Sequence, residues 1–299
     1  MKRVDNLFDQ VVTFENLLMA TERAARGKRF KTNVACFLFR QEQEIYALRD
    51  ELISGSYRPR DYFVFEIREP KLRTICASDF RDRVVHHAVC KVIEPYFEKR
   101  LIFDTYACRV GKGTHSALSR AAKLVKKYRY FLKCDVQKYF ESINHVLLKQ
   151  LLHRLFKDAD LLQLLDVIID HAVPGNVPHT GLPIGNLTSQ HFANLYLGEL
   201  DHELKDRLRI PGYVRYMDDF TCFSNNKEEL WRVLSHIRVF LANRLKLTLK
   251  EKVVRIAPVS EGLPFLGYRI FPNLIRLQRP NVVRLRRATQ SLESAYCMG

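Results

Sequence analysis

No stretch of this 299-residue chain approaches the roughly 18 uninterrupted apolar residues of a membrane-spanning helix, so no membrane partner is expected. The first residues, MKRVDNLFDQVVTFENLL, mix charge with apolar positions at helical spacing and lack the apolar core of an export signal, which predicts a cytoplasmic protein. The seven cysteines (36, 76, 90, 108, 134, 222 and 297) are odd in number, lack zinc-ribbon spacing and sit mostly in apolar runs. They read as reduced core residues, and no disulfide framework is expected. Internal repeats and low-complexity linkers are absent as well.

Acidic residues are scarce: 33 Asp and Glu face 49 Lys and Arg, a formal charge of +16. That imbalance suits a polyanionic partner, nucleic acid being the commonest, while a basic face that only aids solubility has the same composition. With 47% hydrophobic residues the chain can bury a sizeable core, as one large domain or two smaller ones.

Residues 7–25 and 41–53 carry apolar side chains at three-and-four spacing and predict amphipathic helices, with the basic stretch RAARGKRFK between them. YFVFEIREPKLRTICA alternates as two strands around a turn at Glu69, Pro70 and Lys71. DRVVHHAVCKVIEPYFEKRL predicts a buried helix ending near Pro95, YRYFLKCDV a short strand, and Asn144 a cap for HVLLKQLLHRLF. The Pro/Gly-rich VPGNVPHTGLPIGN leads into a helix with Phe192, Tyr196, Leu200, Leu204 and Leu208 at four-residue steps. VRYMDDFTCF predicts a hairpin, followed by a helix near 227–244 and strands near 246–257 and 263–277. Helix and strand mix without a repeated strand-helix alternation, which predicts an α+β fold rather than a doubly wound sheet.

Asp218 and Asp219 stand side by side at the tip of that hairpin, and Asp135 ends the strand FLKCDV. From the dipeptide alone an ordinary turn is the plainer reading. If the two segments lie in one sheet, three carboxylates converge, and such a cluster repels itself unless divalent cations are bound. Oxygen-only ligands suit magnesium, and two magnesium ions are the apparatus of nucleotidyl transfer.

YMDD between two apolar strands resembles the central motif of reverse transcriptases, and FLKCDVQKYFESI resembles their first palm motif. GLPIGNLTSQ lies between the two, where the family's third palm motif falls. EPKLRTICASDFRDRVVHHAV and TYACRVGKGTHSAL are similar to the family's fingers motifs, and LTLKEKVVRIAPVSEGLPFLGYRI to its last palm motifs. Within the family, LPIGNLTSQ resembles the reverse transcriptases of diversity-generating retroelements, because most relatives have Gln before that glycine and Ser-Pro at the motif's end.

The resemblance implies a right-hand polymerase with fingers, palm and a short or truncated helical thumb. It implies an N-terminal extension and fingers over 1–129, palm over 130–145, insertion helices over 146–180, palm over 181–277 and the start of a thumb over 278–299. Asp135, Asp218 and Asp219, with the Val136 carbonyl, would hold two Mg2+ ions, for which Mn2+ could substitute. Lys71 and Arg73 would grip the incoming triphosphate, and Phe140 would exclude a ribose 2′-hydroxyl. Ile184, Gly185 and Gln190 would line the nucleotide, where Ile184 offers shape without the polar check of a glutamine. Arg109, Gly111, Lys112, Tyr216 and Met217 would approach template or primer, the glycine allowing close backbone contact. As core aromatics, Tyr139 and Phe140 would have the same pattern, as would Arg73 on an exposed strand and Ile184 in an apolar loop. The ACRVGKG segment lacks full P-loop spacing.

His86, His87, His145 and His171 form no spaced metal set and read as ordinary fingers and helix residues. Basic clusters at 23–31, 120–129 and 276–287 could line a duplex channel or be solvated faces. The resemblance further implies error-prone copying of a template-repeat RNA at adenines from a DNA or RNA primer, and a small basic pentameric accessory protein. Retron-like or group II intron-like enzymes are the alternative, and a non-catalytic RNA-binding scaffold is the alternative of another class.

Overall fold

The computed structural model describes residues 3–68, 72–171 and 173–298. The turn expected at Glu69, Pro70 and Lys71 lies outside the described residues, so nothing follows for Lys71. The first elements are helices α1 (Phe8–Val11), α2 (Phe14–Ala25), α3 (Thr32–Phe39) and α4 (Gln41–Ile53), the strands β1 (Phe63–Arg68) and β2 (Leu72–Ala77), and helix α5 (Phe80–Arg100). Then come α6 (Thr114–Lys127), β3 (Tyr130–Asp135), α7 (Tyr139–Ser142), α8 (His145–Leu155), α9 (Ala159–Asp170) and α10 (Leu187–His202). The last part holds β4 (Gly212–Tyr216), β5 (Asp219–Ser224), α11 (Lys227–Phe240), β6 (Arg255–Pro258), β7 (Leu263–Phe265), β8 (Tyr268–Phe271), β9 (Leu274–Leu277) and α12 (Arg279–Met298). Among the described residues no helix is long and apolar enough to cross a membrane.

Two compact units share the chain. One takes residues 1–102, 138–199 and 243–247, the other 103–137, 200–242 and 248–299. In the first, α2 starts where the Thr13 hydroxyl accepts from the Asn16 backbone N–H at 3.2 Å. Asp158 does two jobs: one carboxylate oxygen caps Leu161 at 3.0 Å and the other accepts from the backbone of Leu7 and Phe8 at 2.6 and 2.8 Å. Helix α5 does not end near Pro95 as expected but runs through it to Arg100. A proline inside a helix removes one backbone bond and costs about 3 kcal/mol. Here Ile93 and Phe97 on either side are 0% and 2% exposed, and their burial holds the turn closed.

The second unit is built on an antiparallel sheet of order β4-β5-β3-β6. On one face Phe131, Val214, Phe223 and Ala257 pack against Ala117, Ala121 and Val125 of α6 in one core. Helix α11, which buries Leu230, Val233, Leu234 and Ile237, packs on β3, β5 and β6. A second sheet, β7-β8-β9, adds Leu263, Phe265 and Ile270 to the α6 core.

Three other expectations shift. The strand near 246–257 is confined to Arg255–Pro258, because Val253 and Val254 turn back onto the carbonyls of Lys250 and Glu251. The helix from 187 is regular only to His202 and then widens into a π turn over Glu203–Arg207. Four-residue steps drift around a helix of about 3.6 residues per turn, and one wider turn resets the drift so that Leu204 stays buried beyond Leu200. The same widening, over Leu241–Leu245, ends α11. Of the cysteines, 76, 90, 134 and 222 are buried as expected and Cys36 is exposed.

Candidate active site

Strand pairing brings the acids together. The register of β3 and β5 sets Asp135 directly opposite Asp219, and the same ladder pairs Lys133 with Thr221. Side chains two residues apart share a face, so Lys133, Asp135 and Asp219 lie on one side of the sheet. The Lys133 ammonium, 5% exposed, forms an ion pair with the Asp219 carboxylate. Lys250 stands 3.9 Å from Asp135 and its backbone N–H donates to the Asp135 carbonyl at 2.8 Å. Val136 is buried and bridged to Leu249, at the point where the chain leaves the strand.

Asp218 sits in the two-residue turn Met217–Asp218 that joins β4 to β5, with Tyr216 paired to Asp219. Met217 holds a left-handed φ of 59°, a conformation that hairpin turns usually give to glycine, asparagine or aspartate. A methionine there needs outside support, and the sheet supplies it. Arg215, wholly buried, donates from Nη1 to the Met217 carbonyl at 2.8 Å. The same guanidinium grips Asp201: Nε lies 2.8 and 3.0 Å from the two carboxylate oxygens and Nη2 2.5 Å from the second. Tyr213 and Thr105 donate to Asp201 at 2.7 and 3.1 Å, so the buried carboxylate is saturated. Sequence reasoning passed over this pair, because one partner is hidden among strand residues and the other among helix residues. Its available signal was an arginine inside an apolar strand one turn from the acids.

Burial raises the Asp219 carboxyl above the ordinary value, against the pull of the Lys133 ammonium and with help from the charge of Asp135. Oxygen donors with residual mutual repulsion are the chemistry that a hard divalent cation relieves, so the residues fit magnesium. The three aspartates are nevertheless spaced more widely than a single-ion cage. Among the described residues, His145, Asp170 and His179 are the only set of three whose ligand atoms all lie within 4.8 Å of one another.

The remaining candidates of this unit lie on β4 and in the loop before α6. The Tyr216 hydroxyl accepts from Thr114 at 3.3 Å. Arg109 donates to the Thr105 carbonyl at 3.0 Å, and Lys112 bonds the Phe103 carbonyl and lies over the rings of Phe103 and Tyr106 at 4.5 and 5.0 Å. Both cations thus brace their own loop. Gly111 has a φ of 71° with open space where a Cβ would stand, so the backbone conformation, rather than a close contact, requires glycine.

In the other unit, β1 and β2 form an antiparallel hairpin in which Arg73 pairs with Ile67 and is exposed. Arg73 and Ile184 line one cavity with Thr74, Glu141 and Leu182. The Cys76 backbone N–H donates to the Ile184 carbonyl at 3.2 Å, tying the motif to β2. Gly185, at φ 120°, leaves room for Ile75, whose Cγ2 would be 3.2 Å from an added Cβ. Phe140 is half-buried on α7 with its ring 5.8 Å from that of Tyr139, and its carbonyl accepts from Leu182 at 2.8 Å. Gln190 is half-buried on α10, one turn beyond Gly185.

Protein YkfC of Escherichia coli K12 is 27% identical over 285 residues, covering 80% of this chain and 74% of YkfC. The group II intron-encoded protein LtrA of Lactococcus lactis subsp. cremoris is 24% identical over 298 residues, covering 77% of this chain. The chain spans 50% of the length of LtrA. Among solved structures, apo telomerase of Candida tropicalis truncated from its C-terminal domain superposes with a TM-score of 0.56 at 12% identity, over 78% of this chain and 59% of that one. That likeness shows the fold: a mixed helix-and-strand right-hand polymerase with palm and fingers. Residues 67–270 match reverse transcriptase (RNA-dependent DNA polymerase), and the chain belongs to that family.

Proposed function

We propose that the chain copies RNA into DNA as the polymerase of a diversity-generating retroelement, reading a template-repeat RNA with errors concentrated at adenines. The observation that carries the polymerase reading is the pairing of Asp135 with Asp219 beside the Met217–Asp218 turn. Asp135, Asp218, Asp219 and the Val136 carbonyl would hold two magnesium ions, which would supply activation of the primer hydroxyl and charge neutralisation at the leaving pyrophosphate. Arg73, with Lys71, binds the triphosphate of the incoming deoxynucleotide, and Phe140 excludes a 2′-hydroxyl. Arg215 positions the turn through the Met217 carbonyl. Arg109, Gly111, Lys112, Tyr216 and Met217 serve template and primer, and Gly185 and Gln190 border the nucleotide.

The retroelement type rests on Ile184 and Gln190 in GLPIGNLTSQ. An isoleucine at the cavity shared with Arg73 tests the nascent pair by shape alone, which weakens discrimination. A small basic pentameric accessory protein and a cytoplasmic setting complete this reading. The similarity to LtrA favours a second one, a group II intron-like enzyme of ordinary accuracy. Sequencing cDNA made from a defined RNA template, with magnesium, four deoxynucleotides and the accessory protein, separates them. Errors piled up opposite adenine support the retroelement type, and uniformly accurate cDNA supports the intron-like type. Ile184→Gln is expected to lower adenine errors by about tenfold.

A further inference from the structure

We propose that His145, Asp170 and His179 form a zinc site, remote in the chain from the catalytic aspartates. The three residues come from the first position of α8, the last of α9 and the Pro/Gly-rich loop after it. One ligand atom from each lies within 4.8 Å of the other two.

The hydrogen bonding of His145 shows which atom is offered. Its Nε2 lies 2.8 Å from the Gly181 carbonyl, which can only accept, so Nε2 carries the proton. In the neutral ring Nδ1 then presents a lone pair. That atom is buried without a hydrogen-bond partner, on a side chain only 6% exposed, and it faces Asp170 Oδ1 at 3.5 Å. A lone pair facing a carboxylate is completed by a cation lying between them. Donors about 2.0 to 2.2 Å from a tetrahedral zinc stand about 3.4 Å apart, and His145 Nδ1 and Asp170 Oδ1 are 3.5 Å apart.

The surroundings have the organisation of a metal site. The Gly181 carbonyl orients the His145 ring from outside the ligand set. The other oxygen of Asp170 is taken by Lys149 at 2.5 Å, which leaves Oδ1 for the site. His179 is fixed beside His145 by its own carbonyl, which accepts the His145 backbone N–H at 3.0 Å, and by the neighbouring bridge from Asn144 to Thr180. Two nitrogens and one oxygen leave a position for water and suit a borderline ion such as zinc better than magnesium. Bound zinc clamps the loop that runs into Leu182 and Ile184 onto α8 and α9. This inference does not depend on the polymerase reading.

The test is zinc titration of the chelator-stripped full chain in competition with a chromophoric chelator. Excess magnesium fills the aspartates, and a Cys36→Ser background removes the cysteine that is exposed among the described residues. One zinc equivalent is expected, with a rise in melting temperature. His179→Gln and Asp170→Asn alter exposed side chains and leave the circular dichroism spectrum unchanged. Each is expected to weaken zinc binding by more than about tenfold, the loss that even an outer-shell change can produce. Cobalt in place of zinc should give a visible spectrum without thiolate charge transfer. Zinc affinity unchanged in both variants, or no zinc bound by the wild-type chain, would overturn the proposal.

Discussion

At the scale of single residues, the acids alone do not make the site; what surrounds them matters as much. Arg215 spans the buried Asp201 carboxylate and the Met217 carbonyl, so its loss strands a charge and frees the turn. Arg215→Ala is expected to cost about 3 to 5 kcal/mol in urea unfolding. Arg215→Met combined with Asp201→Leu should recover much of that stability without restoring activity, because the Met217 carbonyl still lacks its donor. A double variant as active as wild type would remove Arg215 from the support of the turn. Gly212 faces Phe223 and Tyr128, whose nearest atoms would lie 2.7 and 2.8 Å from an added Cβ. Gly212→Ala should therefore cost about 1 to 3 kcal/mol, read as a lower denaturant midpoint. The acidic motif is legible in the sequence because its residues are adjacent and set in apolar strands. Asp201, His145, Asp170 and His179 are not legible, because their partners are supplied by other elements.

Among the elements, helix ends and buried helix faces decide the balance. The Asn226 side chain caps α11 by accepting from Glu228 and Glu229 at 2.8 and 3.3 Å, beneath the strands that carry the acids. Asn226→Ala is expected to lower stability by about 1 kcal/mol, and a denaturation midpoint equal to wild type would show the cap to be idle. On α5, burial pushes the His86 imidazole down to about 3, reinforced by the positive fields of His87, His171 and Arg83. Below the ordinary histidine value of about 6.5 the unfolded chain takes up a proton that the folded chain refuses. Stability is therefore full above that value and falls as the pH drops toward 3, by up to about 1.4 kcal/mol per unit. His86→Leu should flatten that slope in denaturation measured from pH 7 to 4. Pro95 marks the limit of element-level reading: the residue argues for a helix end, and the burial of Ile93 and Phe97, which overrides it, is tertiary.

For the molecule as a whole, charge and the order of motifs were legible in the sequence, while the bounds of the two compact units were not. Each unit gathers segments from three parts of the chain, and its bounds are set by contacts between residues distant in sequence. The +16 charge predicts RNA binding that weakens steeply with salt, by about a hundredfold or more between about 50 and about 200 mM. Affinity that is flat in salt, measured by fluorescence anisotropy, would assign the basic surface to solubility alone. Polymerisation at the aspartates is tested by primer extension on an RNA template with magnesium and deoxynucleotides, comparing wild type with Asp218→Ala at equal RNA binding. The wild-type chain, supplied with its accessory protein where required, is expected to make cDNA, with a loss of more than about a thousandfold in the variant. RNA bound equally by both with cDNA from neither, or cDNA made equally by both, would contradict that expectation.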